Sequence, residues 1–106
     1  MLAKKDKQIA EELKRRLTQI VKLADFRVFG SRARGDGDEY SDLDIFLEVE
    51  SLSKTLKDHI LEIAWEVGFE NNIKISCLIF TRSEIENSPM RSSPIVRSVA
   101  TEGIRI

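Results

Sequence analysis

Between Ser41 and Glu50 the chain alternates without a break: Leu43, Ile45, Leu47 and Val49 fall on one side, and Asp42, Asp44, Phe46 and Glu48 on the other. Successive strand side chains point to opposite faces, so a period of two predicts a β-strand with one wholly apolar face. Such a face must be covered, and the flanking segments carry what covers it. From Lys4 to Ala24, the residues Ile9, Leu13, Leu17, Ile20 and Val21 recur at three- and four-residue spacing among Lys, Glu and Arg, which predicts an amphipathic helix with one buried stripe. Leu52, Leu56, Ile60, Ile63, Ala64 and Val67 repeat the helical spacing, and Gly68 sits where a helix commonly ends. A helix of about four turns there would cross back over the sheet.

The remaining elements follow from shorter signals. Phe26-Arg27-Val28-Phe29 reads as a strand halted by Gly30, and Gly30 to Tyr40, with three glycines, as a loop or short helical turn. Ile73 to Phe80 alternates again, with Lys74, Ser76, Leu78 and Phe80 on one side, and its mostly apolar makeup predicts an interior strand. Thr81-Arg82-Ser83-Glu84 matches a capping box for a short helix that Pro89 interrupts. Ser93-Pro94 offers an N-cap and a first-turn proline for a last helix over Pro94 to Glu102, which Gly103 ends before a small edge strand at Ile104-Arg105-Ile106. The order of elements predicts an α/β (α+β) fold. At 106 residues, without repeat or linker, the chain reads as a single domain over 1–106.

Composition narrows the function. A net charge of -1 and a pI near 5.9 lack the basic excess that supports strong non-specific nucleic-acid binding. No apolar stretch approaches the roughly 18 residues of a membrane span, and Met1 to Lys7 lacks a signal-peptide run, so the expectation is a cytoplasmic protein with no membrane contact. The lone Cys77 rules out an internal disulfide and reads as a buried thiol. His59 reads as a surface or packing residue, and Trp65 and Phe69 as core or interface residues rather than base-stacking platforms.

Chemistry concentrates at two places. Asp42 and Asp44, one residue apart on a strand, project the same way, close enough to hold one hard cation jointly or to bridge two. Magnesium keeps several waters and is commonly held by one or two carboxylates plus substrate phosphates, so an incomplete protein cage suits a metal-nucleotide site. Gly30-Ser31 lies directly after a strand, with ten residues between Ser31 and Asp42. Glycine lets the backbone approach a phosphate, and a following helical turn aims free N–H groups and the Ser31 hydroxyl at the anion. Arg32 and Arg34 offer bidentate donors to a triphosphate, and Arg32 is the one assigned to nucleotide binding.

Gly-Ser, ten residues, Asp-x-Asp, here Gly30-Ser31-Arg32-Ala33-Arg34-Gly35 running on to Ser41-Asp42-Leu43-Asp44, resembles the minimal nucleotidyltransferases of the DNA polymerase β superfamily, over nearly the whole chain. The resemblance implies a small mixed β-sheet flanked by helices, and an acceptor hydroxyl attacking the α-phosphate of a nucleoside triphosphate such as ATP in line. Pyrophosphate would leave, two magnesium ions would flank the transfer, and AMP would pass to a protein or RNA acceptor. It makes Asp42 and Asp44 the catalytic metal ligands and gives the triphosphate to Gly30 and Ser31.

Members of the family usually draw a third acidic residue from a following strand. Registering Lys74-Ile75-Ser76-Cys77-Leu78 against that strand puts Ser76 there, and a serine at neutral pH supplies neither a base nor anionic charge. An alternative reading is therefore a catalytically degenerate nucleotide-binding module, the antitoxin partner of a HEPN-type toxin. The resemblance implies a HEPN-domain partner, with a homo-oligomer the other way to complete the site. Both readings need a partner.

Overall fold

The computed structural model describes residues 2–87 and 93–106. Its elements run α1 (Lys4–Leu17), β1 (Leu23–Phe29), α2 (Gly30–Arg34), β2 (Leu43–Val49), α3 (Lys54–Glu70), β3 (Ile75–Thr81), α4 (Arg82–Asn87), α5 (Pro94–Glu102) and β4 (Ile104–Arg105). The four strands form one mixed sheet in the order β3-β2-β1-β4, with β1 antiparallel to both β2 and β4 and β2 parallel to β3. A parallel pair needs a crossover, and α3 provides it.

The alternation of β2 sorts its side chains as its sequence requires. Leu43, Ile45, Leu47 and Val49 are fully buried, the first three in one core with Ile9, Ala10, Leu13 and Leu17 of α1 and Ile60, Ala64 and Val67 of α3. Each large aliphatic side chain so covered contributes about 1.5–3 kcal/mol. Phe46 lies on the opposite face with Phe80 and Val99, its ring 5.7 Å from that of Phe80, beneath α4 and α5. Phe29, the strand partner of Asp44, packs against the edge of this second core, so the core borders the carboxylate.

Several boundaries differ from the sequence expectation. The first helix ends at Leu17, not Ala24, because the Thr18 hydroxyl turns back to the Arg15 carbonyl and a tight turn through Val21 delivers Leu23 to its partner Val49. Ile20 is consequently 40% exposed. Gly68 does not end α3. It is buried inside the helix, where a Cβ would meet the Ile73 carbonyl at 2.5 Å, so glycine there permits close packing of the following chain. The helix closes two residues later in a Schellman motif: Asn72 takes the left-handed conformation at φ 55, and the amides of Asn72 and Ile73 donate to the carbonyls of Phe69 and Gly68. The strand β3 is an edge of the sheet rather than its interior, its apolar residues covered on each face but pairing only with β2. Trp65 and Phe69 are not core residues: they stack at 5.2 Å on the outer side of α3, 66% and 73% exposed.

Two caps form as the sequence predicts. The Thr81 hydroxyl accepts from the Glu84 amide while the Glu84 carboxylate accepts from the Thr81 amide, and Ser93 caps α5 by accepting from the Val96 amide. Pro89, expected to interrupt the short helix, lies outside the described residues. Among those residues no helix is long and apolar enough to cross a membrane.

Cys77 faces the core under α3, and burial pushes its thiol up to about 12. At about pH 8 a thiol reagent should therefore label the native chain at least about 100-fold more slowly than the urea-unfolded chain, because only the thiolate reacts. Equal rates would show that the β3–α3 interface is open.

Candidate functional site

Three chain segments meet at one end of the sheet because of strand register. The β1–β2 pairing sets Phe29 opposite Asp44, so the turn that begins at Gly30 starts directly beside that carboxylate. The β2–β3 pairing sets Asp44 beside Ser76, and paired residues on neighbouring strands share a face.

The turn depends on glycine. Gly30 has φ +79, and a Cβ there would run into the Asp44 carboxylate Oδ2. From Gly30 the chain enters α2, whose N-terminus no side chain caps among the described residues. Gly35, at φ 85, closes α2. The Ser31 carbonyl then accepts from the amides of Gly35, Asp36 and Gly37 at 3.0, 3.1 and 3.1 Å, folding the loop back over the turn. Further along, the Asp38 carboxylate accepts from the Tyr40 amide, and the Ser41 hydroxyl accepts from the Asp38 amide.

The two aspartates lie on the same face but in different surroundings. Asp42, one residue before β2, accepts through Oδ2 from the Ser76 hydroxyl at 3.1 Å and faces the Lys74 ammonium at 3.9 Å. Asp44 is half-buried beneath Gly30, and its carboxyl is held above the usual carboxylate range, first by burial and then by the charge of Asp42, against a smaller opposing pull from Arg34. A cation between the two carboxylates would relieve both effects. Among the described residues no group of three or more His, Cys, Asp or Glu converges on a metal position. The donor set present fits a hard cation that completes its shell with water and phosphate oxygens.

Arg32 does not point into this site. Its guanidinium donates to Asp6 at 2.9 Å, to the Ser41 carbonyl at 2.7 Å and to the Glu39 carbonyl at 3.1 Å, which ties α1 to the loop. The nucleotide-binding role expected of Arg32 does not suit this placement, and the field of the other arginine, Arg34, is the one that reaches Asp44. Asp6 was not singled out by its sequence, although its spacing from Ile9, Ala10 and Leu13 extends the buried stripe of α1 and marks it as inward-facing. Lys74 was missed as a site residue as well, although it shares the Ser76 side of the β3 alternation. A groove of about 660 Å³ beside α3, lined by Leu61, Trp65, Phe69, Ile73 and Ile75, reaches the site only through Lys74.

The family model described as Nucleotidyltransferase domain matches residues 7–105. A relative from Methanocaldococcus jannaschii, named "Putative protein adenylyltransferase MJ0141", is 36% identical over 91 residues, covering 76% of this chain and 91% of the relative. A crystal structure of a toxin–antitoxin with AMP-PNP is 22% identical with a TM-score of 0.60, covering 90% of this chain and 70% of that one. A mutant of the toxin–antitoxin pair MntA–HpeT is 20% identical with a TM-score of 0.62, covering 94% and 70%. At such identities the two structures speak for the fold alone.

Two substitutions test this geometry. Gly30→Ala should cost about 1–2 kcal/mol for the left-handed backbone alone, and more from the collision with Asp44. Urea unfolding of the variant should show a loss of at least about 1 kcal/mol; unchanged stability would show that the turn does not depend on glycine. Arg32→Ala strands Asp6, whose side chain is 7% exposed, and should destabilise the chain by about 3–5 kcal/mol in urea unfolding. A loss under about 0.5 kcal/mol would mean that the tie is incidental.

Proposed function

This chain belongs to the nucleotidyltransferase domain family, and on that premise we propose that it binds ATP with magnesium and transfers AMP to a hydroxyl group of a protein acceptor. One observation carries the reading: strand register places the Gly30-Ser31 turn against Asp44, so a phosphate held by the turn lies beside the carboxylates. The named activity of the M. jannaschii relative supports an adenylyl group, hence ATP as its donor, and a protein acceptor.

In this reading Gly30 gives the triphosphate close access to the backbone, and Ser31 and the first amides of α2 bind its oxygens. Asp42 and Asp44 hold magnesium, which when bound neutralises charge on the phosphates. The acceptor oxygen attacks the α-phosphorus in line, the bond to the pyrophosphate oxygen breaks, and pyrophosphate leaves. Ser76 supplies no base, so the proton of the acceptor hydroxyl departs to water. The exposed Trp65–Phe69 pair and its groove support a protein partner, either a HEPN-type protein or a second copy of this chain.

A second reading is favoured by one contact. Where the family resemblance calls for a third carboxylate, Ser76 instead donates to Asp42, and nucleotide binding outlasts that loss more readily than transfer does. The chain would then be a nucleotide-binding antitoxin module.

Transfer predicts that α-labelled ATP with magnesium labels a protein acceptor. Asp44→Asn should lower the rate about 100-fold or more, since metal charge stabilisation amounts to several kcal/mol and each 1.36 kcal/mol is tenfold. ATP binding without labelling of any partner would select the antitoxin reading, and absence of ATP binding would sink both.

A further inference from the structure

We propose that this site holds a single divalent cation with its nucleotide, and that the Lys74 ammonium supplies positive charge on the side where a second ion would otherwise sit. The proposal rests on the nucleotidyltransferase reading and refines it.

The first ground is the donor set. A magnesium ion demands near-octahedral oxygen coordination and gives up water reluctantly, so each ion needs anionic anchors. Among the described residues only Asp42 and Asp44 converge here, and no third His, Cys, Asp or Glu joins them. Ser76, beside Asp44 in the sheet, is neutral and spends its proton on Asp42.

The second ground is the division between the two carboxylates. Asp44 lies under the backbone of Gly30 and so faces the turn that would hold the phosphates. Asp42, on the same face, is engaged from the β3 side, where its Oδ2 accepts from the Ser76 hydroxyl at 3.1 Å and lies 3.9 Å from the Lys74 ammonium. An ion near Asp44 has a carboxylate and phosphate oxygens within reach. A second ion on the Ser76 side would find one carboxylate already engaged by a hydrogen bond and a cation.

The third ground is charge. Paired ions in two-metal sites lie about 3.5–4 Å apart, and their mutual repulsion is four times that of unit charges at the same distance. Anionic ligands have to offset it. Replacing a carboxylate by Ser76 removes one negative charge, and Lys74 adds a positive one on the same side. A lysine ammonium is a compact, strongly hydrated point charge, and that of the exposed Lys74 side chain lies 3.9 Å from Asp42. Lys74 thus acts as a positioning residue: through Asp42 it offsets negative charge next to the attacked phosphorus.

The test counts ions without measuring transfer. The full chain, in excess over a non-hydrolysable ATP analogue, is titrated with Mn²⁺ and followed by calorimetry and electron paramagnetic resonance. The expected result is one Mn²⁺ per analogue with an uncoupled six-line spectrum. The double variant Lys74→Gln, Ser76→Asp should take up two, with the spectrum broadened by coupling between neighbouring ions. Two coupled ions in the unaltered chain overturn the proposal whatever the variant does. One ion in the double variant, when it binds the analogue and keeps its native circular dichroism, overturns the part assigned to Lys74 and Ser76. An analogue that does not bind the unaltered chain overturns the nucleotidyltransferase reading itself, and the single-ion inference with it.

Discussion

The contact between the backbone of Gly30 and the carboxylate of Asp44 is the constraint from which the rest of this molecule's chemistry follows. It exists because β1 and β2 pair with Phe29 opposite Asp44, and that register is in turn set by which face of β2 must be buried. Slipping the strands by one residue would turn Leu43, Ile45 and Leu47 out to solvent, so the hydrophobic core itself holds the turn and the carboxylate together. The fold therefore strips water from Asp44 and sets Asp42 near it, an arrangement that is unfavourable for an isolated anion pair and favourable once a cation and phosphates arrive.

Much of this could be read from local patterns, and the reasons for success and failure are specific. The period-two run at Ser41–Glu50 separates an apolar face from one bearing both aspartates, and the structure separates them in the same way. Caps at Thr81 and Ser93 form because their partners lie three residues away, within reach of sequence inspection. Failures occur where a distant residue decides. Ile20 and Val21 continue the helical spacing of α1, yet pairing of Leu23 with Val49 takes the chain out of the helix before them. Alternation in β3 describes its two faces and says nothing about how many neighbours it has, so its edge position was hidden. Gly68 looks like a stop signal, but the chain requires its missing side chain so that Ile73 can pass.

The site divides along the same line. Gly30, Ser31, Asp42 and Asp44 are brought together by the neighbouring strands β1 and β2, and Ser76 joins them through the parallel register of β3. Arg32 could not be placed from its own surroundings, because its ion-pair partner Asp6 lies 26 residues earlier on another helix. An arginine beside a phosphate-binding turn suggests a ligand contact, and only the tertiary structure shows the guanidinium spent on holding α1 and the loop in one piece.

The three amides gathered by the Ser31 carbonyl bear on how a ligand would meet this protein. Loops that grip phosphates often have to be frozen on arrival, and the lost freedom is subtracted from affinity. Here the chain from Ser31 to Gly37 is already laced to one acceptor atom, and the Asp38–Ser41 bonds continue the lacing toward the carboxylates. Recognition would thus proceed as docking onto a finished surface, with association limited by diffusion and orientation rather than by a folding step in the loop.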